Sequence, residues 1–297
     1  MRIAANLSVK DEVELVGQTI AHLRAIGVDV IVATDMGSTD GTLDILEQYR
    51  SDEDFFIARL TEQTTTEEWS LAILQHVNDA DVDWVAFVDG DEYLLPAMGS
   101  LRECRGFADA DIVIIDRFNI PLSPTGPLIP NRLVPSRFAE LALIVEPIPQ
   151  FRSVLEANPD TPWIRGVPMP KVMARPAVIA AVNDGAHSIV PVDGALLRYV
   201  TSQDLLIAHL PFSTRVRFAR KIENIRRVFE LHDEYMGENL GWHWRRWLAS
   251  ADQGRLNEEF NRNVFGTEMV SALRASGVIR SAADVFQSRK SRNCEVI

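Results

Sequence analysis

The first 120 residues alternate between short apolar runs and longer segments with helical periodicity. The apolar runs predict five strands, at residues 2–9, 28–35, 55–60, 84–88 and 110–120. The intervening segments predict helices at residues 11–27, 42–49 and 66–80, with Thr65 or Thr66 as the N-cap of the third. Strands separated by helices are typical of βαβ units, so the pattern indicates an α/β protein with a mostly parallel central sheet and flanking helices.

The pattern changes after residue 120. Proline recurs between residues 121 and 170, and helical periodicity is lost, which predicts loops and short antiparallel edge strands. Residues 172–182 predict one or two further strands. Helical periodicity returns in the last part of the chain, at residues 213–235, 240–250, 256–264 and 267–275.

The amino-acid composition excludes several classes of protein. The chain has 297 residues, of which 46% are hydrophobic and 24% charged, enough to bury a sizeable core. Its net charge of −12 argues against a nucleic-acid-binding protein. The chain has only two cysteines, with no CxxC motif and no Cys/His cluster, which predicts free thiols and a reducing compartment. No apolar run is long enough for a membrane span. We therefore expect a cytoplasmic protein, with attachment to the surface of the inner membrane left open.

An acidic cluster follows the fourth predicted strand. Asp89, Asp91 and Glu92 come directly after the apolar run 84–88, and Gly90 stands between the two aspartates. Carboxylates at the tip of a buried strand are costly unless a cation meets them. Mg²⁺ and Mn²⁺ prefer carboxylate oxygens and leave positions for substrate phosphates, and a glycine lets a ligand approach the backbone. The alternative is a plain acidic turn.

A second polar strand end precedes it in the sequence. Asp35 ends the run 28–35, and the segment 37–42, Gly-Ser-Thr-Asp-Gly-Thr, predicts a tight turn into a helix. In open parallel sheets ligands bind beyond the carboxyl ends of the strands, so Asp35 and Asp89 are expected to share a cleft. The carboxylate of Asp35 would accept a hydrogen bond from a nucleobase or a ribose, whereas Asp40 is expected only to cap the turn.

Together, the D-x-G-S-T-D-G-T segment at 35–42 and the D-x-D-E-Y-L segment at 89–94 resemble family 2 glycosyltransferases with the GT-A fold. Residues 7–29 resemble the opening of a subgroup with a V-K-N-E-like motif, where this chain has Asp11 in place of Asn. The resemblance covers roughly residues 1–225. It implies a GT-A catalytic domain at 1–212, with a nucleotide-binding half (1–120) and an acceptor and metal half (121–212), and a helical C-terminal extension at 213–297.

The same resemblance implies roles for individual residues. The donor would be a nucleotide-diphosphate sugar and the cofactor Mn²⁺ or Mg²⁺. Asp89 and Asp91 would bind the metal, with His209 as a further ligand and His187 as its competitor among the six histidines. The donor would contact residues from both halves: Asn6, Ser8, Asp35, Asp89, Gly90, Lys171, Ser213 and Arg215. Arg217, Arg220 and Lys221 lie nearby in the sequence and would offer further cations to a diphosphate.

The catalytic base is not evident. An inverting transfer needs a carboxylate that deprotonates the acceptor hydroxyl. The family's usual acidic pair after the D-x-D motif has no clean copy here, which leaves Asp184 and Glu146 as candidates. We therefore keep two alternatives: a catalytically decayed GT-A protein that binds nucleotides or acts as a scaffold, and a nucleotidyltransferase. The second would require a glycine-rich basic loop after the first strand, and residues 6–12 lack one.

Partners follow from the same expectations. The acceptor would be the hydroxyl of a glycan or of another molecule, as in polysaccharide biosynthesis. Nucleic acid and a membrane span are not expected. The tryptophans at 242, 244 and 247 are expected to pack between helices or between copies of the chain, as a homo-oligomer contact through the C-terminal helices, rather than to stack on a sugar.

Overall fold

The structure is a computed structural model that describes residues 1–130, 133–232 and 241–294, without the side chains of 139, 184 and 290–294. Its first part alternates strands and helices: β1 (Ile3–Val9), α1 (Val16–Ala25), β2 (Val30–Asp35), α2 (Thr42–Glu47), β3 (Phe55–Arg59), α3 (Thr66–Asp79) and β4 (Trp84–Asp89). Thr65 caps α3 in a reciprocal capping box with Glu68, as its sequence predicts. The predicted βαβ pattern is confirmed.

The middle of the chain contains mostly short elements. They are β5 (Glu92–Pro96), β6 (Ile112–Ile115), β7 (Arg117–Asn119), β8 (Leu122–Ser123), β9 (Gly126–Pro127), β10 (Ala142–Ile144), α4 (Phe151–Ala157), β11 (Lys171–Ala174), β12 (Ile179–Val182), β13 (Ile189–Pro191), β14 (Tyr199–Thr201) and β15 (Leu205–His209). The remaining elements are α5 (Arg215–His232), α6 (Trp242–Asp252), α7 (Leu256–Arg262), α8 (Thr267–Ala275), β16 (Ile279–Ser281) and α9 (Ala282–Cys294).

The central sheet has seven strands in the order β14-β6-β11-β4-β1-β2-β3. Neighbouring pairs are parallel except those of β11, which runs antiparallel to both β4 and β6. The mostly parallel α/β sheet predicted from the sequence is therefore confirmed. Both faces are covered, since β1, β2 and β4 are buried along nearly their whole length.

A smaller sheet, β5-β15-β7, lies beside the end of β4. Its register places His209 of β15 opposite Glu92 of β5 on one side and Asn119 of β7 on the other. All five residues of β15 are buried. The small sheet thus brings three polar side chains, distant in sequence, to one point next to the acidic cluster.

Three sequence predictions are wrong in detail. The segment 121–170, predicted as loops and short edge strands, also contains the helix α4. The run 110–120 is not one strand, because the chain changes sheets at Asp116: β6 joins the central sheet and β7 the small one. The first helix begins at Val16 rather than at Asp11. Asp11 has a left-handed backbone with φ of 54° and accepts from the backbone N–H of Thr39 at 2.6 Å, so the segment before α1 packs onto the turn after β2.

The C-terminal helices share a core with the middle of the chain. Phe212, Phe218, Trp247 and Phe260 form one apolar cluster with Ile164. Trp247 is 2% exposed, which confirms its expected packing between helices. The division at residue 212/213 stays a prediction. Within the described residues, no helix is long and apolar enough to cross a membrane.

Candidate functional site

A cleft lies at the point in the central sheet where successive strands are added on opposite sides of β1. The sheet order runs from β1 to β2 and β3 on one side and to β4 on the other, and ligands of open α/β sheets bind at the carboxyl side of such a switch. Ser8 of β1 stands directly opposite Asp89 of β4 at this point. Both line a cavity of about 230 Å³, together with Met36, Thr64, Thr65, Thr66, Trp69 and Gly185. The cleft therefore has a carboxylate at the end of β4, and the start of α3 forms one of its walls.

The end of β2 forms one side of this region. Asp35 is 2% exposed, and both of its carboxylate oxygens face the backbone N–H of Ser38, at 3.2 and 3.3 Å. Asn6 of β1 donates to Thr34 Oγ1 at 2.7 Å and accepts from the hydroxyl of Ser8 at 3.1 Å. A chain of hydrogen bonds therefore runs from Thr34 through Asn6 to Ser8, which lines the cleft.

The turn after β2 is held in place by its neighbours. Asp40 accepts from the backbone N–H groups of Thr42, at 2.9 Å, and Val13, at 3.1 Å, so it caps the turn as predicted but is not limited to that role. It also accepts from Arg220 of α5 at 2.9 Å.

At the end of β4, Gly90 is required by close packing. A Cβ atom there would lie 2.9 Å from Cγ of Glu12 and 3.2 Å from Cγ1 of Val9. The sequence predicts that a ligand approaches the backbone at Gly90, but the side chain of Glu12 fills the space beside this glycine. The role of Gly90 in donor binding stays a prediction.

Asp91 lies at the centre of a buried ionic network. Its Oδ2 accepts from Arg217 at 2.7 Å and from Lys221 at 3.2 Å. The guanidinium of Arg217 also donates to both carboxylate oxygens of Glu12, each at 2.7 Å. Arg217 and Lys221 are four residues apart and therefore share a face of α5. These contacts bring the ends of β1 and β4 under one helix.

That helix crosses the carboxyl edge of the sheet. Besides Asp91 it reaches the segments after β1, β2 and β3, through Arg217 with Glu12, Arg220 with Asp40 and Arg227 with Glu62. Each basic side chain meets the acid of a different strand-to-helix connection. Hence α5 fixes the relative positions of the loops that form the cleft.

A second network surrounds Lys171 of β11, whose side chain is fully buried. Its ammonium donates to Asp89 Oδ2 at 3.0 Å and to the carbonyl of Gly185 at 2.7 Å, and lies 3.5 Å from Glu92 Oε2. Glu92 also accepts from Arg117 at 2.5 Å. Lys171 thus contacts the first acid of the D-x-D motif, and its predicted contact with the donor stays a prediction.

The pKa values of these acids differ because their surroundings differ. Burial would raise the pKa of Asp91, but Lys221 and Arg217 outweigh it and hold the pKa well below the usual value. Burial is also outweighed at Glu92, where Lys171 and Arg117 lower the pKa to about 2. At Asp89, desolvation at the cleft floor outweighs Lys171 and raises the pKa to about 6. Asp91 and Glu92 are therefore firmly ionised, and Asp89 is the acid of the cluster that protonates first.

His209 faces the same carboxylate. Its Nε2 lies 3.8 Å from Oδ1 of Asp91, too far for a hydrogen bond, and its Nδ1 lies 2.8 Å from Oδ1 of Asn119. Burial lowers the pKa of His209 to about 3, so the ring is neutral. Two of the three predicted metal ligands, Asp91 and His209, are thus close together, and the role of Asp89 as a ligand stays a prediction.

The two facing atoms fit a divalent cation. Among the described residues, no group of three or more His, Cys, Asp or Glu side chains is placed to hold a metal. Mg²⁺ and Mn²⁺ sites in phosphate chemistry commonly use only one or two protein ligands, with substrate phosphates and water completing the shell. Asp91 and His209 supply such a partial set.

Other predicted site residues lie elsewhere or stay open. The side chain of Arg215 turns to α7, donating to Asn261 at 2.5 Å. The hydroxyl of Ser213 is buried without a partner in the described chain. Glu146 is exposed and lies 3.6 Å from Arg280 of β16. The side chain of Asp184 is outside the described residues, although its neighbour Gly185 lines the cleft.

The competing histidine has a different environment. One ring nitrogen of His187 lies 2.8 Å from the carbonyl of Pro170. Its described contacts do not include Asp91, whereas those of His209 do.

Three polar residues of the site were not singled out from the sequence: Glu12, Arg117 and Asn119. Glu12 had a signal, since it follows β1 at the same sheet edge as Asp35 and Asp89. Arg117 and Asn119 alternate in the predicted strand 110–120 and so share a face. The change of sheet at Asp116, which directs that face to the acids, has no signal in the local pattern.

The N-terminal part of the chain is similar to a known protein family. Residues 7–129 match the model of a family described as "Glycosyl transferase family 2". No curated protein matches the chain. The matched segment contains Asp35, Asp89 and Asp91, whereas Lys171, His209 and α5 lie beyond it.

Several solved structures are similar. S. aureus TarS 1–349 is 15% identical, with 99% of this chain and 92% of that chain covered and a TM-score of 0.42. Mannosyltransferase PcManGT from Pyrobaculum calidifontis, in complex with GDP-Man and Mn²⁺, is 14% identical over 92% and 75%, with a TM-score of 0.39. Glucosyl-3-phosphoglycerate synthase from Mycobacterium tuberculosis, in complex with Mn²⁺, UDP and phosphoglyceric acid, is 17% identical over 61% and 58%, with a TM-score of 0.31.

Proposed function

We propose that this protein, whose residues 7–129 match the model of glycosyl transferase family 2, is a glycosyltransferase that moves a sugar from a nucleotide-diphosphate donor to a hydroxyl acceptor with the help of a divalent metal. The observation that carries the proposal is the pair formed by Asp91 and neutral His209, 3.8 Å apart beside the cleft of Ser8 and Asp89. A carboxylate oxygen and a neutral imidazole nitrogen that face each other at 3.8 Å, beyond hydrogen-bond distance, favour a cation between them.

The metal would be held by Asp91 and His209 and would supply positive charge to the departing diphosphate. Arg217 orients Asp91 through a hydrogen bond of 2.7 Å. Lys171 orients Asp89, which projects into the cleft with 40% of its side chain exposed. Asp35 and Ser8 would contact the nucleoside, as the resemblance implies. Lys221, 31% exposed, is placed to move from Asp91 to a phosphate oxygen when the donor binds.

The proposal also includes an acceptor and a catalytic base. We take the acceptor to be a glycan hydroxyl, with Asp184 as the base, because its neighbour Gly185 accepts from Lys171 and lines the cleft. Glu146 is the weaker candidate, since its described ionic partner is Arg280 on the small strand β16. We place the enzyme in the reducing cytoplasm, with which the free, buried thiol of Cys104 is compatible.

The test is thermal stabilisation of the protein by a panel of UDP, GDP, CDP and dTDP nucleotides and their sugars, with and without Mn²⁺. The panel is run on wild type, on Asp91→Asn and on Asp109→Asn. Asp109 is an exposed acid before β6, at the opposite edge of the sheet, and controls for the change of charge. A ligand at a hundred times its dissociation constant should add about 2.7 kcal/mol to the free energy of unfolding.

The expected result is a Mn²⁺-dependent shift with one nucleotide class, lost in Asp91→Asn and kept in Asp109→Asn. No shift with any nucleotide would overturn the proposal. A metal-dependent shift without sugar hydrolysis or transfer, in the presence of a range of hydroxyl acceptors, would instead support the decayed binding protein. Release of diphosphate from a nucleoside triphosphate and a sugar phosphate would indicate the nucleotidyltransferase.

A further inference from the structure

We propose that Asn119 is a positioning residue that sets the tautomer of His209, so that the Nε2 atom of the imidazole carries a lone pair toward Asp91. The inference rests on the proposed function in one respect, since only there does the lone pair bind a metal. The tautomer itself is a property of the metal-free protein.

The two side chains are neighbours by register. Asn119 ends β7 and His209 ends β15, and the two residues are directly paired in a parallel ladder. They are 1% and 7% exposed, and Oδ1 of Asn119 lies 2.8 Å from Nδ1 of His209. Water therefore has little access to Nδ1, and the contact with Asn119 decides whether that nitrogen carries a proton.

The orientation of the Asn119 amide is fixed by its other contacts. Its nitrogen donates to the carbonyl of Ile164 at 2.9 Å and faces the carbonyl of Gly166 at 3.4 Å. The flipped amide would point its oxygen at two carbonyl oxygens, leaving all three without a donor. The oxygen of Asn119 therefore faces the imidazole and acts as an acceptor, which requires a proton on Nδ1.

The consequence lies at the other ring nitrogen. A neutral imidazole with its proton on Nδ1 has a bare Nε2. That nitrogen is 3.8 Å from Oδ1 of Asp91, an acceptor. The opposite tautomer would point an N–H group at Asp91 and leave Nε2 without a lone pair for a cation. Metal-ligating histidines use a second hydrogen bond in this way to fix ring orientation and tautomer.

The support for Asn119 continues into the C-terminal helices. The backbone N–H of Ile164, whose carbonyl accepts from Asn119, donates to Oδ1 of Asn263 at 2.8 Å. Asn263 in turn donates to the carbonyl of Glu259 in α7 at 2.9 Å. The amide of Asn119 is thus held by a segment that is itself anchored, which leaves the imidazole little freedom to rotate.

The first measurement is the tautomer of His209 in the metal-free protein. Long-range ¹H–¹⁵N correlation on protein labelled at histidine distinguishes a protonated Nδ1 from a protonated Nε2, and His209→Gln assigns the resonances. Wild type is expected to carry the proton on Nδ1. A proton on Nε2 in wild type would overturn the inference, whatever the protein's activity.

The second measurement compares variants of Asn119. Asn119→Leu keeps the volume and removes the acceptor, whereas Asn119→Asp keeps an acceptor toward Nδ1. We expect Asn119→Leu to populate the proton on Nε2 and to weaken Mn²⁺ binding about 10- to 100-fold, measured in the presence of nucleotide by the EPR signal of free Mn²⁺. Asn119→Asp should retain the proton on Nδ1.

Asn263→Leu is a graded comparison, since it removes the anchor of Ile164 but leaves the amide of Asn119 next to His209. It should change the tautomer less than Asn119→Leu does. Equal changes in Asn263→Leu and Asn119→Leu, or an unchanged tautomer in Asn119→Leu, would overturn the inference. A changed tautomer with unchanged Mn²⁺ affinity would overturn its link to the metal. Wild type that binds no Mn²⁺ with any nucleotide would overturn the proposed function, and the tautomer would then be judged by NMR alone.

Discussion

The guanidinium of Arg217 lies 2.7 Å from Oδ2 of Asp91, although 126 residues separate them in the chain. Both side chains are nearly inaccessible, at 3% and 5% exposure. The same guanidinium binds Glu12 and the carbonyl of Leu210. One side chain of α5 therefore neutralises two acids at the ends of two parallel strands, and the geometry of the candidate metal site depends on it.

Replacing Arg217 should be strongly destabilising. Arg217→Met leaves two buried carboxylates with less positive charge, and breaking a buried pair of this kind costs about 3–5 kcal/mol. Arg217→Lys should cost less, because a charge remains, but it loses the fork that binds Glu12 and Asp91 together. Urea unfolding measures both. Arg274→Met, an exposed arginine in α8, should change stability by no more than about 0.5 kcal/mol. Equal stability of Arg217→Met and wild type would contradict the network.

Lys171 should matter for both stability and ligand binding. Lys171→Met leaves Asp89 and Glu92 with less compensation, so we expect a loss of about 3–5 kcal/mol and no Mn²⁺-dependent stabilisation by nucleotide. Lys10→Met is the control, because Lys10 forms a partly exposed pair with Glu62 at 2.8 Å, and such pairs contribute about 0.2–1 kcal/mol. Similar losses in the two variants would argue that burial of Lys171 has no special role.

The stability that Glu92 contributes should depend on pH. Lys171 and Arg117 lower the pKa of folded Glu92 to about 2, below that of an unfolded glutamate. Its contribution is therefore complete above the unfolded pKa and is lost as pH falls through the folded pKa. The difference in unfolding free energy between wild type and Glu92→Gln should be largest above about pH 5 and shrink toward pH 2. A difference that stays constant over this range would show that Glu92 is not held ionised.

The tryptophans of α6 should act through packing. Trp247 contacts Trp163, Phe212 and Phe218, with ring centroids 5.1 to 6.0 Å apart. Trp247→Ala should therefore cost about 3–5 kcal/mol of stability. At temperatures well below unfolding it should leave nucleotide-sugar binding unchanged, measured by calorimetry. Lost sugar binding in a variant of normal stability would instead favour the stacking of a sugar on this ring.

Several features follow from local sequence alone. The buried strands of the first 120 residues and the helices between them have periodicities that only one type of element satisfies, so a mainly parallel α/β sheet could be predicted. The positions of Asp35 and Asp89 at one edge follow as well, because parallel strands end on the same side of a sheet. The capping box of Thr65 and Glu68 depends on residues three apart and is equally local.

Tertiary structure decided how the acids are used. Nothing local indicates that β6 and β7 separate at Asp116, that His209 pairs with both Glu92 and Asn119, or that α5 crosses the sheet edge. These contacts join segments about 90 to 200 residues apart, and they form because a buried carboxylate must find a cation or a donor wherever the fold offers one. The strand ends thus determine where the acids lie, and the long-range packing determines which arginine or lysine meets each acid and how far each acid is exposed to the cleft.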